Sequence, residues 1–159
     1  MTSALFRLCF CLLLAAMAAG ARAQDRYVEF ADTLPAAVDK KTVAIDRVVG
    51  DGATAVRGQY VVVHYEGWVH DPAAPDRKGF KFDSTIDRGY ALSVLVGINR
   101  MLTGLDRGIL GMKVGGKRTL MVPPSLGYGS RLAYKTVPPD STLIFDVELL
   151  DVVRQQNTD

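Results

Sequence analysis

The chain predicts an α+β fold, with one short helix laid on one face of a mostly antiparallel sheet. Three observations predict it. Apolar and polar residues alternate over 59–68 and 142–153, the period of a half-buried strand. Leu102, Leu105, Ile109 and Met112 fall at i, i+3, i+7 and i+10, which is one face of a helix. The helical stretch comes late, with strand-like segments before and after it.

Residues 1–23 read as a secretory signal: Arg7 is the charged start, 8–19 the apolar run, and Ala21-Arg22-Ala23 a small-residue cleavage site, so the mature chain is expected to begin at Gln24. The run is short for a membrane span, and no membrane association is expected once it is removed. Both cysteines, Cys9 and Cys11, fall inside this leader. The mature chain is thus expected to carry no disulfide, zinc-thiolate site or thiol catalysis. Residues 24–41 mix charge with Tyr27, Val28, Phe30 and Pro35 without a period, and read as an N-terminal extension.

The domain is expected over 42–153, with a tail at 154–159. Thr42 to Val49 reads as a first strand closed by Gly50-Asp51-Gly52. In Gln59 to Trp68, Val61, Val63 and Tyr65 share one face and Tyr60, Val62 and His64 the other. Asp71 to Gly79 is loop by composition, Lys81 to Thr85 is extended, Asp87-Arg88-Gly89 turns, and Ala91 to Val96 is a further strand. The helix follows from Leu102, with Thr103 as its expected N-cap and Asp106 at capping-box spacing. Gly104, Gly108 and Gly111 weaken it by roughly 1 kcal/mol each, so it needs a sheet to pack on. Arg118 to Val122 is a strand, 123–139 a loop with four prolines, and Thr142 to Val153 the last strand, with Leu143, Phe145, Val147 and Leu149 inward.

Charge and motifs exclude several functions. The chain has 19 basic and 17 acidic residues; without Arg7 and Arg22 the mature chain has 17 of each, which argues against nucleic acid as a partner. There is no G-x-S-x-G, no P-loop and no H-E-x-x-H. His64 and His70, six apart across a strand end, are an unpromising metal pair, and no metal or cofactor is expected. Gly104-x-x-x-Gly108 lacks the apolar 20-mer of a membrane-helix motif. The only tryptophan, Trp68, reads as a surface or loop-packing residue.

What remains is aromatic and apolar: Tyr65, Phe82, Leu92, Met101, Leu102, Leu105, Tyr128 and Phe145 come from separate elements, and Asp83 follows Phe82. If they converge they form an apolar pocket with a few polar handles, the usual form of a small-ligand site. An ordinary core accounts for the same residues.

Five strings narrow this. VVHYEGW (62–68), KFDST (81–85), DRGILGMKVGGKR (106–118), PPSLGYG (123–129) and VPPDSTLIFDVELLDV (137–152) occur in one order over 42–153. Together they resemble the FKBP-type peptidyl-prolyl cis-trans isomerases, and the GFKFDS approach after a proline-bearing insertion at 71–78 is similar to bacterial exported members. The resemblance implies a five-stranded antiparallel sheet wrapped around one short helix, with an apolar cavity for a proline ring. It implies catalytic roles for Tyr65, Phe82, Asp83, Tyr128 and Phe145, and substrate binding by Leu92, Met101, Leu102, Leu105, Ala133 and Thr136. Leu92 stands where many members have Phe, and Met101-Leu102 where they have Val-Ile, the Leu102 N–H matching the donor to a ligand carbonyl. Leu105 replaces a pocket-floor Trp. Ala133 and Thr136 stand where many members carry His or Gly and an aliphatic residue, and the stretch 131–135 is bulkier and more basic than the Gly-rich loop common in the family. The implied activity is rotation of X–Pro bonds in exported proteins in the periplasm or outside the cell, with rapamycin-type macrolides as inhibitors and no cofactor. The alternative is a non-catalytic module that binds proline peptides as a holdase.

Overall fold

The computed structural model describes residues 41–133 and 136–153. The expected leader, all but Lys41 of the extension, Tyr134 and Lys135 of the basic loop, and the tail lie outside the described residues. The chain divides after Ala36, and all the described residues belong to the second unit.

Six strands form the sheet: β1 (Val43–Val48), β2 (Tyr60–His70), β3 (Lys78–Ser84), β4 (Leu92–Leu95), β5 (Lys117–Val122) and β6 (Leu143–Val153). The expectation of five is corrected by the way β2 is shared. Its first residues, Tyr60 to Val63, pair with β4, and Glu66 to His70 pair with β3. β3 and β4 thus occupy one position on the same side of β2, so six strands fill the five places β1-β5-β6-β2-β3. All pairings are antiparallel. β3 starts at Lys78, inside the segment expected as loop, because His70 of the longer β2 pairs with Lys78.

The period-2 faces are where the sequence puts them. Val61, Val63 and Tyr65 of β2 and Leu143, Phe145, Val147 and Leu149 of β6 are buried, while Val62, His64 and Glu66 stand on the other face with partial exposure. The one α-helix among the described residues, α1 (Thr103–Ile109), packs against β5 and β6. Its glycines have a packing reason: a Cβ at Gly104 would collide with Val122, and one at Gly108 with Leu120. The helix is weakened locally so that its backbone can lie close to β5.

The expected cap does not form. Leu102 is the N-cap, without a side-chain hydrogen bond, and Thr103 is already helical. Asp106 is 1% exposed and turns back to accept the Gly97 N–H at 2.8 Å and the Asn99 N–H at 2.9 Å. Both donors have positive φ, 82° and 59°, so the carboxylate holds a left-handed loop that would otherwise be costly at Asn99. α1 ends at Ile109, short of Met112, which is nonetheless buried from the following turn. Arg118 donates to the Gly108 and Leu110 carbonyls at 2.8 and 3.2 Å, capping the C-terminal end.

His64 and His70 lie in different surroundings. His64 Nδ1 lies 3.0 Å from Thr85 Oγ1, and the buried His70 Nε2 has no partner among the described residues. Burial holds the His70 imidazole below its ordinary value, helped by Arg77 and opposed by Asp71. A folded-state value below the unfolded one favours the fold while the ring is neutral. Stability is therefore expected to fall as pH drops from ~7.5 to ~5.5, where the unfolded chain protonates first. The urea midpoint should show this, and His70→Gln should flatten the slope; an unchanged slope would sink the assignment.

Candidate functional site

The site begins with an irregularity in β3. Gly67 pairs with Asp83, and Trp68 with Lys81, so Phe82 is an extra residue in a bulge. Regular alternation would send Phe82 and Asp83 to opposite faces. A bulge re-aims the chain, and here Phe82 packs on the core while Asp83 reaches Tyr65 from the next position. β2 leaves room for this with a glycine: a Cβ at Gly67 would come within 2.8 Å of Phe82 Cζ and 2.9 Å of Phe145 Cε1.

The rings meet edge to face. Phe145 is 5.7 Å from Phe82, centroid to centroid, at 87°, and 6.0 Å from Tyr65 at 66°; Phe82 is 6.1 Å from Tyr128 at 76°. This is the geometry the aromatic quadrupole favours. Leu105 is 4% exposed within the same core cluster, and Leu92, Met101, Leu102 and Ala133, each partly buried, pack against that cluster. Leu102 at the N-cap belongs to the first turn, whose N–H groups have no acceptor within the helix. Thr136 is exposed, and its neighbour Val137 is the residue of that pair that packs into the core.

A polar group borders the rings. The Tyr65 hydroxyl donates to Asp83 Oδ2 at 2.6 Å. Arg88 pairs with the other oxygen of Asp83, and its Nη2 donates to Tyr65 Oη at 3.2 Å. The Asp83 side chain is 10% exposed. Burial, then the hydrogen bond to Asp83, pushes the Tyr65 phenol up to about 12, with Arg88 acting against them. The hydroxyl is therefore a neutral donor across the physiological range. The Arg88 guanidinium is pushed above its ordinary value, first by its hydrogen bond to Tyr65. Thr85, fully buried, fixes the backbone of Tyr65: its N–H donates to the Tyr65 carbonyl at 3.0 Å, and its hydroxyl accepts the Tyr65 N–H at 2.9 Å.

Sequence reasoning missed Arg88, Thr85, Gly67 and Val137. Gly67 left a trace, since glycine inside a strand marks a bulge or a close approach. Arg88 left none, because a charged residue in a turn reads as solvated.

A groove of about 260 Å³ is lined by His64, Tyr65, Glu66, Lys117, Asp146 and Glu148 among others, and shares only Tyr65 with the aromatic cluster. Its charges are paired: Lys117 with Glu148, Lys78 with Asp146, Lys81 with Glu66. The aromatic cluster is the stronger candidate, because apolar walls and oriented polar groups converge only there among these two places.

A cluster of edge-to-face rings with a carboxylate and a phenol at its edge, on a helix-backed antiparallel sheet, suits a binder of small apolar rings or peptides. Residues 52–150 match the model of the family described as FKBP-type peptidyl-prolyl cis-trans isomerase, and the chain belongs to that family. It is 46% identical over 103 residues to the FK506-binding protein of Neisseria meningitidis serogroup A, covering 65% of this chain and 88% of that protein. It is 46% identical over 101 residues to human peptidyl-prolyl cis-trans isomerase FKBP10, covering 64% of this chain and 16% of that longer protein. The crystal structure of AtFKBP13 superposes with a TM-score of 0.60 at 35% identity, over 70% of this chain and 93% of that one. The chain is thus a peptidyl-prolyl cis-trans isomerase with the FKBP-like fold.

Proposed function

We propose that this isomerase acts on X–Pro bonds of exported proteins as a folding helper, after loss of residues 1–23. The observation that carries the site is the Tyr65–Asp83 hydrogen bond of 2.6 Å at the edge of the Phe82–Phe145 ring pair. The export reading is supported by the Arg7 start, the apolar run and the Ala21-Arg22-Ala23 site.

The chemistry needs no nucleophile. Amide resonance opposes rotation by ~18–20 kcal/mol, and the uncatalysed exchange takes roughly tens to hundreds of seconds. Resonance places negative charge on the carbonyl oxygen, and a twisted amide has less of it. An apolar wall of Tyr65, Phe82, Leu102, Leu105 and Phe145 disfavours that charge separation, so it prefers the twisted bond to the planar one. Holding the proline ring while the preceding carbonyl turns lowers the barrier by that preference. Asp83 and the Tyr128 hydroxyl position the peptide. The same apolar surface suits a rapamycin-type macrolide.

One experiment covers these readings. Protein released from the periplasm of an expressing bacterium should begin at Gln24, accelerate a protease-coupled X–Pro peptide assay, and be inhibited by rapamycin. Asp83→Ala should cut kcat/KM about tenfold while the protein stays folded, with the unfolding midpoint lowered to match the ~1–3 kcal/mol that a lost buried hydrogen-bond partner costs. An intact Met1 form in the membrane would refute the export reading. Peptide or macrolide binding without acceleration would instead leave a holdase.

A further inference from the structure

Arg88 links Asp83 to Tyr65, yet it belongs to neither strand. It sits in the turn between β3 and β4, where the Gly89 N–H closes back on the Ile86 carbonyl at 3.0 Å and Gly89 has a φ of 76°. A long side chain in an exposed turn ordinarily samples many rotamers, and a guanidinium bridging two acceptors has to be kept in one.

The structure contains a device for this. The Arg88 Cζ lies 5.7 Å from the centroid of the Tyr65 ring and 5.5 Å from that of Tyr90. Both distances fall within the range of cation–π attraction. Tyr65 is a buried member of the pocket, whereas Tyr90 is 61% exposed and contributes little to the core. A lone exposed aromatic is unremarkable by itself. What sets Tyr90 apart is its registration over a guanidinium that already bridges Asp83 and Tyr65. That registration is anchored in the backbone. The Tyr90 N–H donates to the Thr85 carbonyl at 3.2 Å, and the Thr85 N–H donates to the Tyr65 carbonyl at 3.0 Å. The two rings facing Arg88 are thus connected by two consecutive main-chain hydrogen bonds.

We infer that Tyr90 is a positioning residue for the isomerase site: its ring packs on Arg88 and holds the guanidinium in the one orientation that serves Asp83 and the Tyr65 hydroxyl together. This rests on the reading of that pocket as the isomerase site. Tyr90 acts through Arg88. The ring is the active part of the side chain, so Phe suffices at this position. A Lys at position 88 does not replace the arrangement, because an ammonium is a point charge without the planar fork.

The test compares wild type, Tyr90→Phe and Tyr90→Ala in the full chain. Kinetics on an X–Pro peptide, the thermal midpoint and the Arg88 side-chain NH signals by ¹⁵N NMR are measured on the same samples. Tyr90→Ala is expected to lower kcat/KM about two- to fivefold, the factor that an exposed cation–π contact carries. Its thermal midpoint should stay in place, and its separate Arg88 Nη signals should merge as the guanidinium rotates freely. Tyr90→Phe should match wild type in all three. The inference is overturned if Tyr90→Ala leaves the Arg88 signals and kcat/KM unchanged, if Phe falls as far as Ala, or if the loss in Tyr90→Ala tracks a lowered midpoint. A wild type without isomerase activity would fail the pocket reading alone, since the Arg88 signals still decide whether Tyr90 orders the guanidinium.

Discussion

Phe145→Ala should destabilise the fold by about 3–5 kcal/mol, the range for truncating a fully buried aromatic. Phe145 is 1% exposed, sits on the middle strand of the sheet, and is the ring that both Tyr65 and Phe82 meet edge to face. Its removal opens a cavity beside Phe82 and beside Tyr65, whose hydroxyl belongs to the site's polar edge. Loss of the ring contacts adds about 0.5–1.5 kcal/mol per pair to the area term. Urea unfolding measures the first effect. Macrolide affinity measures the second, and should fall even in Phe145→Leu, which keeps most of the volume. A stability loss under ~1 kcal/mol would mean that the surrounding rings close over the gap, and would demote Phe145 to one core residue among many.

Leu105→Ala is expected to cost about 2–5 kcal/mol, since the residue is 4% exposed and the close helix–sheet approach at Gly104 and Gly108 leaves little slack for collapse. The opposite substitution is the more informative one. If Leu105 floors the pocket, Leu105→Trp puts an indole against the bound ring and tightens macrolide binding with little change in melting temperature, which is the expected result. If the position is ordinary core, the indole overpacks and destabilises by roughly 1–3 kcal/mol with no gain in affinity. Calorimetric titration beside a thermal melt of the same variant separates the two.

The parts legible in the sequence are those governed by period and composition. Alternation located β2 and β6 and the inward faces that carry Tyr65 and Phe145. The ordered strings added Ala133 and Thr136, and the roles expected of the rest, by resemblance. What stayed hidden depends on tertiary placement. No local signal says that Phe82 is a bulge residue, since the bulge exists only against Gly67 and Trp68 of another strand. Asp106 has the spacing of a capping partner for Thr103, yet its two bonds go to Gly97 and Asn99; a carboxylate at the start of a helix has several N–H donors within reach, and spacing does not choose among them. The helix glycines are a penalty in the sequence and a necessity beside Leu120 and Val122. The resemblance implies five strands where the structure has six; the sequence reads both 81–85 and 91–96 as extended, but not that β3 and β4 share β2 end to end and fill one place in the sheet.

The order of the sheet also dictates when the molecule can be assembled. β6 lies between β5 and β2, with two strand positions on either side of it, although it is the last of the described strands to leave the ribosome. Its partners on β2 are some 80 residues upstream, Tyr65 facing Val147 and Gly67 facing Phe145, and such distant pairing is the slow kind. Until residues 143–153 have been synthesised, β1 with β5 and β2 with β3 and β4 are two separate ribbons, and neither holds the Phe145 ring. A nascent chain of this topology has nothing to bury its Val61, Val63 and Tyr65 against the middle of the sheet while translation continues. Completion of the sheet therefore waits for residues 143–153, and with it the burial of the Phe145 ring against Tyr65 and Phe82.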